Sequence, residues 1–60
     1  MKYEICKGVL NNGLQLWTTV AWTDVQAYAE QILTALDTTR SEMFAILCDG
    51  KIIKKGKNNG

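Results

Sequence analysis

Of the 60 residues in the chain, 47% are hydrophobic and 22% are charged, and the formal net charge is +1. This length and balance exclude a disordered chain and a second domain, and so small a domain buries only about 60% of its unfolded surface. The sequence has no histidine, two cysteines and five scattered glycines, which argues against a histidine base, a four-ligand zinc site and a phosphate loop, so we expect no enzyme, metal or cofactor.

The first predicted element is a β-hairpin. Residues 2–10 alternate as a strand does, and the alternation loosens at Lys7-Gly8, which favours a bulge or a twist there. Asn11-Asn12-Gly13 predicts a tight turn, because Asn and Gly tolerate positive φ. Residues 14–21 resume the period of two. One face then holds Leu14, Leu16, Thr18 and Val20, and the other holds Gln15, Trp17, Thr19 and Ala21.

A helix is predicted next, over about residues 24–37. Thr23-Asp24-Val25-Gln26 fits a capping box with Thr23 as the N-cap, and Asp24 adds negative charge at the positive end of the helix dipole. Trp22 precedes this cap and is expected to pack on the first turns. Residues 37–41 are interpreted as the exit loop. Apolar side chains recur at helical spacing at Val25, Tyr28, Ala29, Ile32, Leu33 and Leu36.

The last predicted element is a second hairpin. Two β-rich segments, residues 43–48 and 51–55, flank Asp49-Gly50, which is a strong signal for a two-residue turn. The predicted pairs are Cys48 with Lys51, Leu47 with Ile52, and Ile46 with Ile53. One face then holds Phe44, Ile46, Cys48 and Ile53, and the other holds Ala45, Leu47 and Ile52.

The element order β-β-α-β-β predicts an α+β fold of two layers. One helix packs on one face of a small, mostly antiparallel sheet of four strands, whose order the sequence leaves open. Residues 1–56 are expected to form the single domain, and residues 57–60 a flexible C-terminal tail. The helix is expected to pack on Tyr3, Ile5, Leu14, Leu16, Val20, Phe44 and Ile46.

The sequence favours a cytoplasmic protein. A membrane helix needs about 20 consecutive apolar residues, and no stretch approaches that length. The first residues include charged side chains where a signal peptide is apolar. We therefore expect Cys6 and Cys48 to be reduced and buried as small apolar side chains, the alternative being a disulfide or a metal shared within a dimer.

The candidate binding residues lie on the predicted face away from the helix. The alternation that buries Leu16 places Trp17 on that face, where Leu47 and Ile52 are also expected. Because an exposed tryptophan is a typical anchor for protein contacts, these side chains form a candidate apolar patch. The alternative is that strand twist or lysine stems cover the indole ring.

Lysines cluster near the C-terminus, at Lys51, Lys54, Lys55 and Lys57. We interpret them as protection of an edge strand against aggregation and as the polar rim of the apolar patch. The alternative is an arm that contacts the phosphates of a nucleic acid.

Residues 20–30 lead from a strand into the helix with the sequence Val20-Ala21-Trp22-Thr23-Asp24-Val25-Gln26-Ala27-Tyr28-Ala29-Glu30. This arrangement resembles very small phage-encoded inhibitor proteins, which include anti-CRISPR proteins and a bacteriophage inhibitor of bacterial RNA polymerase. Such proteins commonly have a short antiparallel sheet with one helix. The resemblance implies a protein that blocks a larger host assembly and has no chemistry of its own, and it carries over no functional residue.

The leading hypothesis is a small interaction protein that inhibits a host protein complex. It would bind through Trp17, Leu47 and Ile52, with Lys51, Lys54 and Lys55 as the rim. Two alternatives stay open. One is a nucleic-acid-binding protein that uses the lysines, and the other is a homodimeric structural subunit in which a second copy covers the Trp17 face.

Overall fold

A computed structural model describes residues 1–58 of the chain. Its elements follow the predicted order. They are β1 (Tyr3–Asn11), β2 (Leu14–Thr23), α1 (Gln26–Thr39), β3 (Met43–Cys48) and β4 (Lys51–Lys55). One four-stranded sheet and one helix confirm the α+β class.

The strands are ordered β2-β1-β3-β4, and each neighbouring pair is antiparallel. β1 and β3 are therefore central, and β2 and β4 form the two edges. Both predicted turns are confirmed: Asn12 and Gly13 have φ angles of 54° and 82°, and Asp49 and Gly50 have 53° and 76°. Two consecutive positive φ angles are what this tight two-residue turn needs, and Asn, Asp and Gly tolerate them.

The core lies between α1 and the two central strands. Its buried side chains are Ile5, Ala29, Leu33, Phe44 and Ile46. Around them pack Tyr3, Ala21, Ile32 and Leu36. The predicted apolar stripe of the helix is thus confirmed from Ala29 onward, whereas Val25 and Tyr28 at its start are exposed.

Three residues that were predicted in the core, Leu14, Leu16 and Val20, are exposed. β3 pairs with β1 only as far as Gly8, so the end of the first hairpin extends beyond the centre of the sheet. The 14-residue helix is about 21 Å long, whereas the ten-residue β2 strand spans about 33 Å. The helix is therefore too short to cover the hairpin end.

The helix begins later than predicted, at Gln26, and its N-cap Val25 makes no side-chain cap hydrogen bond. The prediction of Thr23 as the N-cap is wrong, because Thr23 is still paired with Tyr3 in the sheet. The Thr23 hydroxyl oxygen instead accepts a hydrogen bond from the Val25 N–H at 3.2 Å. Thr23 therefore stabilises the turn between strand and helix, one step before the helix begins.

The helix also ends later than predicted, because it continues through Thr39. The hydroxyl groups of Thr38 and Thr39 donate hydrogen bonds to the carbonyl oxygens of Thr34 and Ala35, at 2.7 and 2.8 Å. These side chains bond back to the preceding helical turn and leave the helix intact. The segment interpreted as an exit loop is therefore mostly the last helical turn.

Part of the segment predicted as a flexible tail is bonded to this end of the helix. The Asp37 carboxylate accepts hydrogen bonds from the N–H groups of Lys57 and Asn58, at 2.6 and 3.4 Å. The Asn58 side-chain nitrogen lies 2.8–3.2 Å from the carbonyl oxygens of Asp37, Arg40 and Glu42. These bonds hold residues 57 and 58 at the helix end, and residues 59 and 60 of the predicted tail lie outside the described residues.

Glu42 joins two basic side chains where the chain enters β3. Its carboxylate lies 2.7 Å from Lys7 Nζ and forms a second ion pair with Arg40. Hydrogen bonds from Arg40 and then Lys7 lower the pKa of Glu42 to about 2, against an ordinary value of 4.5. Folding therefore favours the ionised carboxylate, and its stabilisation is complete above pH 4.5 and is lost as the pH falls through about 2.

Glu42→Gln is expected to lower the free energy of unfolding at neutral pH by a small amount, because the ion pairs are partly exposed. The difference from the unchanged chain should shrink as the pH falls from 4.5 to about 2. Urea unfolding over this range measures it. Asp24→Asn, at an exposed residue with no ion pair among residues 1–58, is the control. A Glu42→Gln difference that stays constant down to pH 2 contradicts this prediction.

Candidate protein-binding face

No helix or strand among residues 1–58 covers the face of the sheet opposite α1, which we call the open face. The strand register places three rows of residues across it. These rows are Trp22-Glu4-Leu47-Ile52, Thr19-Cys6-Ala45-Lys55 and Trp17-Gly8-Met43. Neighbours in a row belong to adjacent strands and share this face, as directly paired residues do.

A β-bulge interrupts β2. The register between β1 and β2 slips between Ile5 and Cys6, and Val20 is the extra residue of β2 at that point. The prediction of a bulge at Lys7-Gly8 is wrong, because the pairing is regular there. The irregularity therefore belongs to the edge strand, where an inserted residue disturbs only one neighbouring strand.

This bulge brings two tryptophans to one face. Residues five positions apart in a regular strand point to opposite sides, so an unbroken β2 would separate Trp17 from Trp22. With Val20 inserted, Trp17 pairs with Gly8 and Trp22 pairs with Glu4, and both partners lie on the open face. The open face thus carries both tryptophans of the chain.

Trp17 lies on the predicted side of the sheet and packs across Gly8. A Cβ atom at residue 8 would lie only 2.9 Å from Cζ3 of the Trp17 ring and 3.1 Å from Met43 Sδ. Glycine is therefore what allows the indole to approach the sheet so closely. The indole ring is half-buried as a result, and it packs over Gly8 on the open face.

Trp22 is the more exposed tryptophan, with 61% of its surface accessible. The prediction that it packs on the first helical turn is wrong, because its pairing with Glu4 directs it away from the helix. Lys2 Nζ lies 5.2 Å from the centre of its ring, within the range of a cation–π interaction. Trp22 is the main candidate binding residue that the sequence pattern missed, since only the bulge brings it to this face.

The middle row of the open face has small side chains at Thr19, Cys6 and Ala45 and ends at Lys55. Cys6 and Ala45 are buried although no element lies above them, so the larger side chains around them provide the cover. Glu4 supplies a carboxylate in this otherwise apolar region, and it accepts a hydrogen bond from the Thr19 hydroxyl at 2.8 Å. The open face therefore presents apolar side chains and one carboxylate, Glu4, which lies in the same row as Trp22.

The two cysteines lie on opposite faces of the sheet. Cys6 pairs with Ala45 on the open face, whereas Cys48 pairs with Tyr3, which packs on the core beneath α1. Both are buried and free. This placement confirms the prediction of two small buried side chains and separates them too far for a bond within one chain.

Leu47 and Ile52 are paired directly and lie on the open face, as predicted. A second bulge follows, because Ile46 pairs with Lys54 and leaves Ile53 as the extra residue. The predicted pair between Ile46 and Ile53 is therefore wrong. The alternation of side chains along β4 also changes at this point.

The bulge at Ile53 determines where Lys54 and Lys55 lie. Lys55 pairs with Ala45 and borders the open face. Lys51 and Lys54 lie on the helix side instead, where Lys54 Nζ is 3.3 Å from the Glu30 carboxylate. The lysines thus divide between two faces, and only Lys55 lies where the predicted rim requires it.

No protein-family model, curated protein or solved structure matches this chain. Within residues 1–58, no three side chains of the metal-binding types come together. The helix of this described part is too short and too polar to cross a membrane.

Proposed function

We propose that this chain is a non-catalytic interaction protein that binds a larger protein through its open face and inhibits a host protein complex, as small phage-encoded inhibitors do. The observation that carries the proposal is that Trp17 and Trp22 share one uncovered face. Tryptophan is enriched among the residues that dominate binding energy at protein interfaces. The resemblance of residues 20–30 to such inhibitors supplies the class of activity.

The open face has the dimensions and chemistry of a protein contact. Trp22, Leu47 and Ile52 lie in one row across four strands, which spans about 14 Å at the usual strand spacing. An ordinary interface buries about 800 Å² on each partner, which is roughly a fifth of this chain's 4216 Å². One broad face of a molecule measuring 33 × 25 × 15 Å supplies that area.

The same face indicates what its partner offers. Apolar side chains at both ends of the row fit apolar pockets or a shallow hydrophobic groove. Glu4 lies between them, and in a closed interface its carboxylate needs a hydrogen-bond donor or a cation from the partner. Lys2 and Lys55 lie near the border and favour acidic side chains around the groove.

The placement of the lysines favours a protein partner over a nucleic acid. A groove or arm that contacts phosphates needs several cations on one continuous surface. Lys55 borders the open face, Lys51 lies on the helix side, and Lys54 is paired with Glu30. Lys54, Lys55 and Lys57 line one crevice, but the carboxylates of Glu30 and Asp37 lie among them, whereas the open face carries both tryptophans.

Affinity capture from a lysate of the native host tests the proposal with three baits. They are the unchanged chain, Trp22→Ala and Tyr28→Ala. Tyr28 is the matched control, because it is an aromatic residue that is 57% exposed on α1, in the other layer of the fold. We expect one host protein to be enriched by the unchanged and Tyr28→Ala baits and to be lost from Trp22→Ala.

Circular dichroism of each bait checks that the fold is retained, which we expect because both side chains are mostly exposed. Equal enrichment of the same proteins by Trp22→Ala contradicts a role for the open face. Enrichment of nucleic acid in place of any protein contradicts the proposed partner class.

A further inference from the structure

The two edges of the sheet are protected very differently. An edge strand exposes unpaired N–H and C=O groups that another chain can pair with, and lysines on the strand are a common protection. β4 has three lysines among its five residues. β2 has ten residues, none of them charged and none of them proline, and its outer side pairs with no other strand of the described chain.

β2 also lies beside apolar side chains that the fold leaves uncovered. Leu14 and Leu16, on the helix side of β2, are exposed by 68% and 49%. Val9 of β1 pairs with Leu16 and is 42% exposed. Next to this end, Val20, Leu36 and Phe44 line a crevice of about 190 Å³ that Lys7 and Arg40 also border. An additional strand along β2 would bring side chains against this surface and remove part of it from water.

We infer that β2 pairs with β2 of a second copy of this chain, antiparallel about a two-fold axis perpendicular to the sheet. The pairing would use residues 14–19, the regular part of the strand before the bulge at Val20. It would join two four-stranded sheets into one sheet of eight strands. Both helices then lie on one side of that sheet, and both open faces lie on the other.

A second copy fits this edge because the strand is compatible with itself. A two-fold axis places β2 against its own sequence, and a strand without charges opposes no like charges in any register. Paired residues share a face, so the uncovered leucines on the helix side of one copy meet the corresponding side of the other. The contact is isologous, as in most homodimers.

The second edge explains why such an assembly stops at two copies. Once the β2 strands are paired, both outer edges of the eight-stranded sheet are β4, which carries lysines. Lysines that face each other across a further edge contact repel, so growth into longer sheets is disfavoured. A closed dimer requires one edge that can pair and one edge that is protected. A monomeric chain would need protection at both edges.

The dimer does not depend on the proposed function, because it uses the edge of β2 and leaves the open face free. The dimer would enlarge the open face, because Trp17 and Trp22 lie on β2, the strand that forms the contact between the two copies. Four tryptophans would then lie on one continuous surface.

Sedimentation velocity or light scattering of the purified chain tests the inference. We expect twice the chain mass of 6.7 kDa. Thr18→Lys introduces a charge at an exposed position within the regular part of β2, and we expect it to restore the mass of a single chain. Ile53→Lys introduces the same charge at an exposed position on the opposite edge and should leave the dimer intact.

Hydrogen exchange provides a second measurement if Thr18→Lys also weakens the fold. In the unchanged chain, protection of amides in residues 14–19 should rise with protein concentration, and protection in β4 should not. The mass of a single chain at every concentration overturns the inference. A dimer that persists in Thr18→Lys also overturns it, because the contact would then lie on another surface. If Trp22→Ala dissociates that dimer, the surface is the open face.

Discussion

Phe44→Ala is expected to remove a large part of the free energy of unfolding of this chain. Phe44 is 2% exposed and lies in the core beneath α1. Truncating a buried phenylalanine costs about 3–5 kcal/mol. The whole free energy of unfolding of a chain of this length is about 3–9 kcal/mol. A single side chain therefore accounts for much of the stability, and circular dichroism with urea unfolding measures the loss.

Tyr28→Ala is the control for this prediction, because it removes an aromatic ring of similar size that is 57% exposed, on the helix that packs over Phe44. Exposed substitutions of this kind change the free energy of unfolding by about 0.5 kcal/mol. If Phe44→Ala unfolds at the same urea concentration as Tyr28→Ala, the core does not depend on Phe44 and the description of the fold is wrong.

Trp22→Ala is expected to weaken binding of the captured partner by about 30-fold or more. Truncating a tryptophan at the centre of an interface costs about 2 kcal/mol or more, which corresponds to that factor. Trp22 is suited to this role because it is exposed and free to enter a pocket of the partner. Titration calorimetry with the purified partner measures the change in Kd.

Trp22 is a clearer test than Trp17 for a structural reason. Trp17 packs on Gly8, so its removal changes the sheet itself as well as the surface. Tyr28→Ala should leave the Kd within about twofold, since Tyr28 lies on the helix. A Kd for Trp22→Ala that equals that of Tyr28→Ala contradicts the assignment of the open face as the contact.

Local sequence signals predicted most of the fold. Asn12-Gly13 and Asp49-Gly50 specify their turns because each position needs a positive φ, and few other residues adopt one without strain. The apolar spacing from Ala29 to Leu36 specifies which side of the helix meets the sheet. The turns and the apolar side of the helix depend on residues that are close in sequence, so the local pattern of residues is enough to predict them.

The two bulges could not be predicted in the same way. Val20 and Ile53 are β-branched residues that suit a regular strand, and neither is next to a glycine or proline that would mark an interruption. Their places follow from how neighbouring strands pair and twist across the sheet. Each bulge reverses the alternation for the rest of its strand, so errors of face follow at every later residue.

Long-range contacts explain the errors at the ends of the helix. Thr23 has the sequence of an N-cap, but its pairing with Tyr3 keeps it in the sheet. At the other end, Asn58 reaches back to carbonyl oxygens near residue 40. Its partners are more than 15 positions away in the sequence, so the pattern of residues near Asn58 indicates only a polar tail.

The candidate site was predicted in part for the same reasons. Trp17 and Ile52 precede the bulges of their strands, and Leu47 lies on β3, which has no inserted residue. Alternation therefore placed all three on the correct face. Trp22 lies beyond Val20, and Lys54 lies beyond Ile53, and both were assigned to the wrong side. The more exposed tryptophan was therefore the one that its place before the predicted N-cap assigned to packing on the helix.

The accessibility of Trp22 in the free chain tests whether the bulge at Val20 turns both tryptophans to the open face. Acrylamide quenching of fluorescence in dilute solution measures each indole separately in Trp17→Phe and Trp22→Phe. We predict that Trp22, with 61% of its surface exposed, is quenched nearly as efficiently as free indole, and that Trp17 is quenched less. A Trp22 that is shielded more strongly than Trp17 would contradict this placement and the binding face built on it.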